Sequence, residues 1–211
     1  MRYGLVKRVL DVLVAAVGLA VLAPLLAVIA IAIAVSMGSP VLFTQPRAGK
    51  DGRRFVIYKF RTMTRLPPEL AEAPWDARRI TVLGRWLRGL SVDELPQLWN
   101  VLRGEMSLVG PRPLLERYSP WLTERERARL TVPPGITGWA QVNGRANAPW
   151  DERLAMDTWY VDNRSLMLDV KILALTALDV VRRKDVHLGP ATRLQDDLDV
   201  ERKARRCGTP G

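Results

Sequence analysis

The chain has 211 residues, 32 Lys plus Arg against 22 Asp plus Glu, and a net charge of +10. A single Cys, Cys207, excludes an internal disulfide framework, a single His excludes a His-rich zinc site, and 48% hydrophobic residues exclude a largely disordered chain. Any chemistry must rest on carboxylates, Lys, Arg or hydroxyls, in one domain or a domain with an appendage.

The charges are unevenly placed. No ionisable side chain lies between Val12 and Pro46, and nearly every residue from Val12 to Val35 is Ala, Val, Leu or Ile. As a helix these 24 residues measure about 36 Å, more than a hydrocarbon core of about 30 Å. Arg2, Lys7 and Arg8 resemble the basic start of a signal peptide, but the run is long for one and no small-residue cleavage site with a polar follow-on precedes Ser36. Pro24 removes a helix hydrogen bond in mid-run and predicts a kink or break at Ala23-Pro24. Basic residues flank both sides, with Arg47, Lys50, Arg53 and Arg54 following, and the positive-inside tendency keeps both flanks cytoplasmic. A re-entrant helix meets both conditions; a spanning helix stays open on these residues.

Beyond Pro40, Val41–Gln45 and Arg54–Phe60 alternate and are rich in β-branched and aromatic residues around Gly49-Lys50-Asp51-Gly52, which predicts a β-hairpin. Leu66–Asp76, with Pro67, Pro68 and Pro74, reads as a loop. Ile80, Leu83, Leu87 and Leu90 share one helical face, with Arg85 and Arg88 off it. A short helix is expected from about Leu95 to Leu102, burying Leu95, Leu98, Trp99 and Leu102. Ser119–Leu130 reads as a charged helix, and Leu166–Arg183 as the strongest soluble helix, apolar enough to pack on helices or rest on lipid. Trp139, Trp150 and Trp159 read as core or interface anchors, and His187 has no visible partner. Periodicity is lost after His187, and Glu201–Arg206 reads as part of a poorly ordered tail. The expected fold is α+β: a re-entrant membrane helix over 1–38, a mainly helical domain with a short β-hairpin over 39–188, and a tail over 189–211.

Chemistry concentrates at Ser91-Val92-Asp93-Glu94-Leu95-Pro96. One reading is structural, since Ser91 and Glu94 have capping-box spacing and acids suit a helix N-terminus. The other follows from Lys59, Arg61, Arg88 and Arg112, more cations than a cap needs. Carboxylates among cations suit a phosphate ester and a divalent cation, and aspartate is a competent nucleophile toward phosphorus. Lys59 and Arg61, alternating on a strand, and Arg88 could equally face solvent; Arg112, between two prolines, is locally rigid. Gln141 and Arg145 lie in a Gly-rich stretch that could serve substrate or merely form a loop.

The series Lys59-Phe60-Arg61-Thr62-Met63, Asp93-Glu94-Leu95-Pro96-Gln97, Met106–Pro113 and Pro134–Arg145, continuing to Asp157, Tyr160, Ser165 and Asp169, resembles the monotopic phosphoglycosyl transferases of bacteria over about residues 5 to 185. The resemblance implies transfer of a sugar-1-phosphate from a UDP-sugar to a polyprenyl phosphate, usually undecaprenyl phosphate, with release of UMP. It implies Asp93 as nucleophile and Mg²⁺ ligand, Glu94 as acid–base partner, and Lys59, Arg61, Arg88, Arg112, Gln141 and Arg145 as substrate-binding residues. It also implies a re-entrant helix whose Ser-Pro hinge is Ala23-Pro24 here, at the cytoplasmic face of the bacterial inner membrane, with no nucleic-acid partner. The +10 charge alone also suits a membrane-attached protein that binds lipid or polyanion, and the same carboxylates would serve a membrane phosphodiester hydrolase.

Overall fold

The computed structural model describes residues 2–64, 79–143, 148–182 and 197–206. The Leu66–Asp76 loop, Arg145 and His187 lie outside the described residues. The described chain is mostly helical, with two small sheets.

Helix α1 (Arg2–Met37) is unbroken and contains Pro24. The expected break is therefore absent. Both halves of the helix are held by packing, which offsets the hydrogen bond that proline forfeits. Ala15, with Leu19 beside it, packs on Phe55, Ile57, Leu98 and Val101; Ile29 and Ile33 pack on Phe60 and Leu87. The outer face, with Leu13, Val17, Val21, Leu25, Val28, Ile31 and Val35, is exposed and apolar. By length and composition alone, α1 is long and apolar enough to cross a membrane.

The hairpin forms as predicted but longer: β1 (Leu42–Ala48) pairs antiparallel with β2 (Arg54–Phe60), Leu42 opposite Phe60 and Ala48 opposite Arg54. Its turn needs positive φ at Asp51 and Gly52, residues that tolerate it. Helix α2 (Val82–Gly89) starts where the Thr81 hydroxyl accepts from the Gly84 N–H at 2.9 Å. Ile80 and Leu87 are buried as expected, whereas Leu90 at its end is exposed.

Helix α3 (Gln97–Arg103) buries Leu98 and Val101, while Trp99, predicted inward, is 51% exposed. The inward stripe is shifted because Gln97 and Asn100 occupy it. Asn100 ties α3 to β2: its amide donates to Val56 O and the Glu105 carboxylate, both at 2.7 Å, and accepts from the Tyr58 N–H at 3.3 Å.

Strand β3 (Ser107–Val109) pairs parallel with β4 (Gly135–Thr137). Between them the expected Ser119–Leu130 helix is replaced by two 3-10 segments, Glu116–Trp121 and Glu126–Thr131. Pro120 lacks the N–H an α-helix needs there. Helices α4 (Trp139–Asn143), α5 (Trp150–Asn163) and α6 (Leu166–Val181) follow. Trp139 and Trp159 stack with centroids 4.7 Å apart, and Trp150 meets Tyr118 edge-on. On α6, Met167, Val170 and Val181 are exposed.

The expected tail contains helix α7 (Leu198–Arg206). Leu198 is fully buried beside Leu114, Tyr118, Leu122 and Leu154, and Arg202 pairs with Glu126 and Asp151. Periodicity over nine residues is too short to reveal a helix whose order comes from one buried side chain and ion pairs.

Candidate active site

The acids sit on a 3-10 turn, Val92–Glu94, between α2 and α3. The capping-box reading fails here. Ser91 lies in the left-handed region (φ 54°) and its hydroxyl makes no cap hydrogen bond. Such a turn places successive side chains on different sides, so the two neighbouring carboxyls meet different surroundings.

Glu94 Oε1 accepts from Lys59 Nζ at 2.5 Å and from Arg112 Nη2 at 3.0 Å. Burial works against its charge, but Lys59 and Arg112 outweigh it and hold the carboxyl down at about 2. Glu94 thus stays ionised across the neutral range and orients two cations. Lys59 is pushed down by burial, partly countered by Glu94.

Asp93 goes the other way. Burial and the neighbouring Glu94 charge raise it to about 6, against the opposing pull of Lys59, Arg88 and Arg112. Its carboxylate accepts no hydrogen bond among the described residues. Two carboxyls whose surroundings drive them apart can take separate chemical roles. No cluster of three or more His, Cys, Asp or Glu among the described residues could hold a metal alone. A carboxylate short of cationic charge still fits Mg²⁺ where substrate oxygens and water complete the shell, the usual arrangement for this ion.

Arg88 lies on α2, its Nε donating to the Thr62 hydroxyl at 2.8 Å. Burial lowers its pKa and Asp93 raises it. Arg61 is not brought to the carboxylates. It is buried at the end of α1, where Nη2 donates to Met37 O and Gly38 O. The C-terminal carbonyls of a long helix attract a cation, and Arg61 is held there rather than beside Asp93 and Glu94. Gln141, on α4, donates from Nε2 to Ile136 O at 3.2 Å, and its buried Oε1 has no partner among the described residues.

Arg112 is aimed by a strap that motif reading missed. The Pro111 carbonyl accepts from Gly135 N–H (2.9 Å), that of Arg112 from Arg129 Nη2 (2.6 Å), that of Pro113 from Arg47 Nη1 (3.4 Å), and that of Leu114 from Ala48 N–H (3.0 Å). Arg129 is itself locked by the buried Asp157, with Nε at 3.1 Å and Nη2 at 2.8 Å from one carboxylate oxygen. Arg47 is pushed down to about 10 by burial and by Arg112. The sequence signal for Arg129 was slight: an arginine between Ala128 and Leu130, just before Pro133-Pro134.

The ends of α1 are tied to this same body. Tyr3 Oη and Lys7 Nζ donate to Asp169 at 2.9 and 2.8 Å, and Arg8 donates to Val101 O and Leu102 O at the end of α3. Tyr160 Oη reaches the other Asp169 oxygen at 2.7 Å.

A sequence profile of the family described as bacterial sugar transferase matches residues 2–183. The chain is 48% identical to the uncharacterized sugar transferase EpsL of Bacillus subtilis (strain 168), over 84% of this chain and 88% of that protein. It is 44% identical to the UDP-glucose:undecaprenyl-phosphate glucose-1-phosphate transferase of Caulobacter vibrioides, over 81% of this chain and 67% of the relative. With the undecaprenyl-phosphate glucose phosphotransferase of Komagataeibacter xylinus it shares 45% identity over 81% of this chain, but the match spans only 35% of that longer protein.

Proposed function

Because the chain belongs to the bacterial sugar transferase family, we propose that it transfers a sugar-1-phosphate from a UDP-sugar to a polyprenyl phosphate, undecaprenyl phosphate foremost, releasing UMP. Relatives named for undecaprenyl-phosphate sugar transfer support this reading. The observation that carries it is the division of labour at Asp93-Glu94: one carboxylate is clamped between Lys59 and Arg112, the other is left without a hydrogen-bonding partner among the described residues.

An Asp93 oxygen attacks the sugar-bearing phosphorus, and the phosphorus–oxygen bond to UMP breaks, UMP leaving with the electron pair. A polyprenyl phosphate oxygen then attacks the acyl phosphate on Asp93. The carboxylate leaves, and a polyprenyl diphosphate sugar forms. Arg88 and Arg112 neutralise phosphate oxygens during both displacements, and Glu94 keeps Lys59 and Arg112 from collapsing onto Asp93. When bound at Asp93, Mg²⁺ supplies further charge neutralisation to the diphosphate.

The membrane reading belongs here too. Both ends of α1 bind one folded body while its outer face stays apolar, which supports a helix seated in one leaflet, without the sharp break of the re-entrant expectation, over a spanning one. The basic flanks favour the cytoplasmic face.

The test incubates purified protein with Mg²⁺ and UDP-sugars, with and without undecaprenyl phosphate, assaying UMP and intact mass. Expected are UMP release, a phosphosugar adduct without acceptor, and loss of both in Asp93→Asn. Adduct-free turnover, or an active Asp93→Asn, overturns the covalent route. Sugar phosphate released to water regardless of acceptor identifies a hydrolase.

A further inference from the structure

The cavity beside Glu94 is larger than a phosphate site requires. It encloses about 350 Å³, and its lining groups fall into two chemical sets. Arg88 and Arg112 supply cations. Thr137 at the end of β4, Gln141 on α4, and Thr176 and Asp179 on α6 supply something different.

Proton bookkeeping shows what. Thr176 Oγ1 donates to Ile172 O at 2.8 Å, so its proton is spent. The Thr137 hydroxyl, 2.7 Å away, is then the donor of that pair and keeps its lone pairs free. The Ile136 carbonyl fixes the Gln141 amide with nitrogen toward it and leaves Oε1 buried with no partner among the described residues. Asp179 is half-buried and makes no hydrogen bond or ion pair among the described residues, and a carboxylate offers acceptors. The second set is therefore rich in acceptors awaiting donors, and a buried acceptor without a donor is costly.

Phosphate oxygens cannot meet that need, whereas a ring bearing several hydroxyls can. Apolar Leu95, Leu173 and Val180 in the same cavity suit its C–H surfaces. In a UDP-sugar the glycosyl ring is one oxygen away from the phosphorus under attack, and uridine lies beyond a second phosphate. Arg88 and Arg112, the cations assigned to the phosphate oxygens, line this same cavity, which places its acceptor-rich side for the adjoining sugar.

We propose that Gln141, Thr137 and Asp179 bind the glycosyl hydroxyls of the donor and determine which sugar is accepted. The inference rests on the transferase reading above. Its test compares wild type, Gln141→Leu and Asp179→Asn in kcat/KM for UDP-glucose and UDP-galactose, in inhibition by UMP, and in KM for undecaprenyl phosphate, with thermal unfolding as folding control. Expected is a change of about tenfold in the ratio between the two donors, the worth of one hydrogen bond, with UMP inhibition unchanged. Should one variant fail to fold, the other carries the comparison. Weakened UMP inhibition with an unchanged donor ratio assigns the acceptors to uridine and overturns the proposal, as does an effect confined to KM for undecaprenyl phosphate, or no effect. A wild type that releases no UMP from any donor defeats the transferase reading itself.

Discussion

Asp93→Asn should stabilise the protein while abolishing its turnover. The folded structure raises this carboxyl from 3.8 to about 6, a change of about two pH units, each worth about 1.36 kcal/mol. A raised acid destabilises the folded state wherever it must ionise, so the penalty is absent below about pH 4, grows as pH rises through 6, and reaches roughly 3 kcal/mol above it. Asparagine keeps the shape and removes the charge. For a chain of this size 1 kcal/mol moves Tm by about 2–4 °C, so Asp93→Asn should melt roughly 6–12 °C higher at pH 8, with the gap closing toward pH 4.5. Melting both proteins in detergent with EDTA at the two pH values measures this. Mg²⁺ should then narrow the gap at pH 8 by stabilising wild type alone. Equal melting at pH 8, or a gap independent of pH, refutes the idea that Asp93 is a carboxylate held against its charge.

Glu94→Gln should destabilise by about 3 kcal/mol by leaving buried Lys59 unpaired, and wild-type stability from this group, present above about pH 4.5, should fall away as pH drops toward 2; urea unfolding across pH measures both. Arg129→Met should cost about 3–5 kcal/mol, and pairing it with Asp157→Leu should restore stability but not turnover, because Arg112 O still lacks its donor; recovered turnover rules out the strap as an aiming device. Gly135→Ala should lower Tm and activity together, since a Cβ there would stand 2.1 Å from the Gly110 nitrogen. In a Cys207→Ser background, cysteines at Gly4 and Lys50 should both resist a membrane-impermeant thiol reagent applied from outside, and labelling of either restores a spanning α1.

The parts legible in the sequence are those set by local pattern. The apolar run, the hairpin and α6 each carry a period long enough to read. The grouping of Glu94 with Lys59 and Arg112 was suggested by more cations than a cap needs, and the structure brings these three together. What escaped depends on groups far apart in the chain. Arg61 looked like a partner of Lys59, but its role follows from the carbonyls of Met37 and Gly38 more than twenty residues earlier. Arg129 and Asp157 are separated by 28 positions, and nothing local marks them as one unit. Ser91-Val92-Asp93-Glu94 misled for the opposite reason: its spacing matches a cap, yet positive φ at Ser91 turns the hydroxyl from that task.

Lys59 and Arg61 together explain how the carboxylates and the long apolar helix α1 are joined in one structure. Lys59 lies on β2 and Arg61 just past its end, about 6.6 Å apart along an extended chain. Lys59 holds Glu94, and Arg61 holds the last carbonyls of α1. The strand end is thus a spacer of fixed length between the helix terminus and the carboxylate pair, and Asn100 secures that strand to α3. A lipid phosphate can move laterally but hardly at all in depth, so an enzyme acting on it needs its nucleophile at a set height above the headgroups. On the proposed transfer, the coupling of Lys59 to Glu94 and of Arg61 to the end of α1 would set that height.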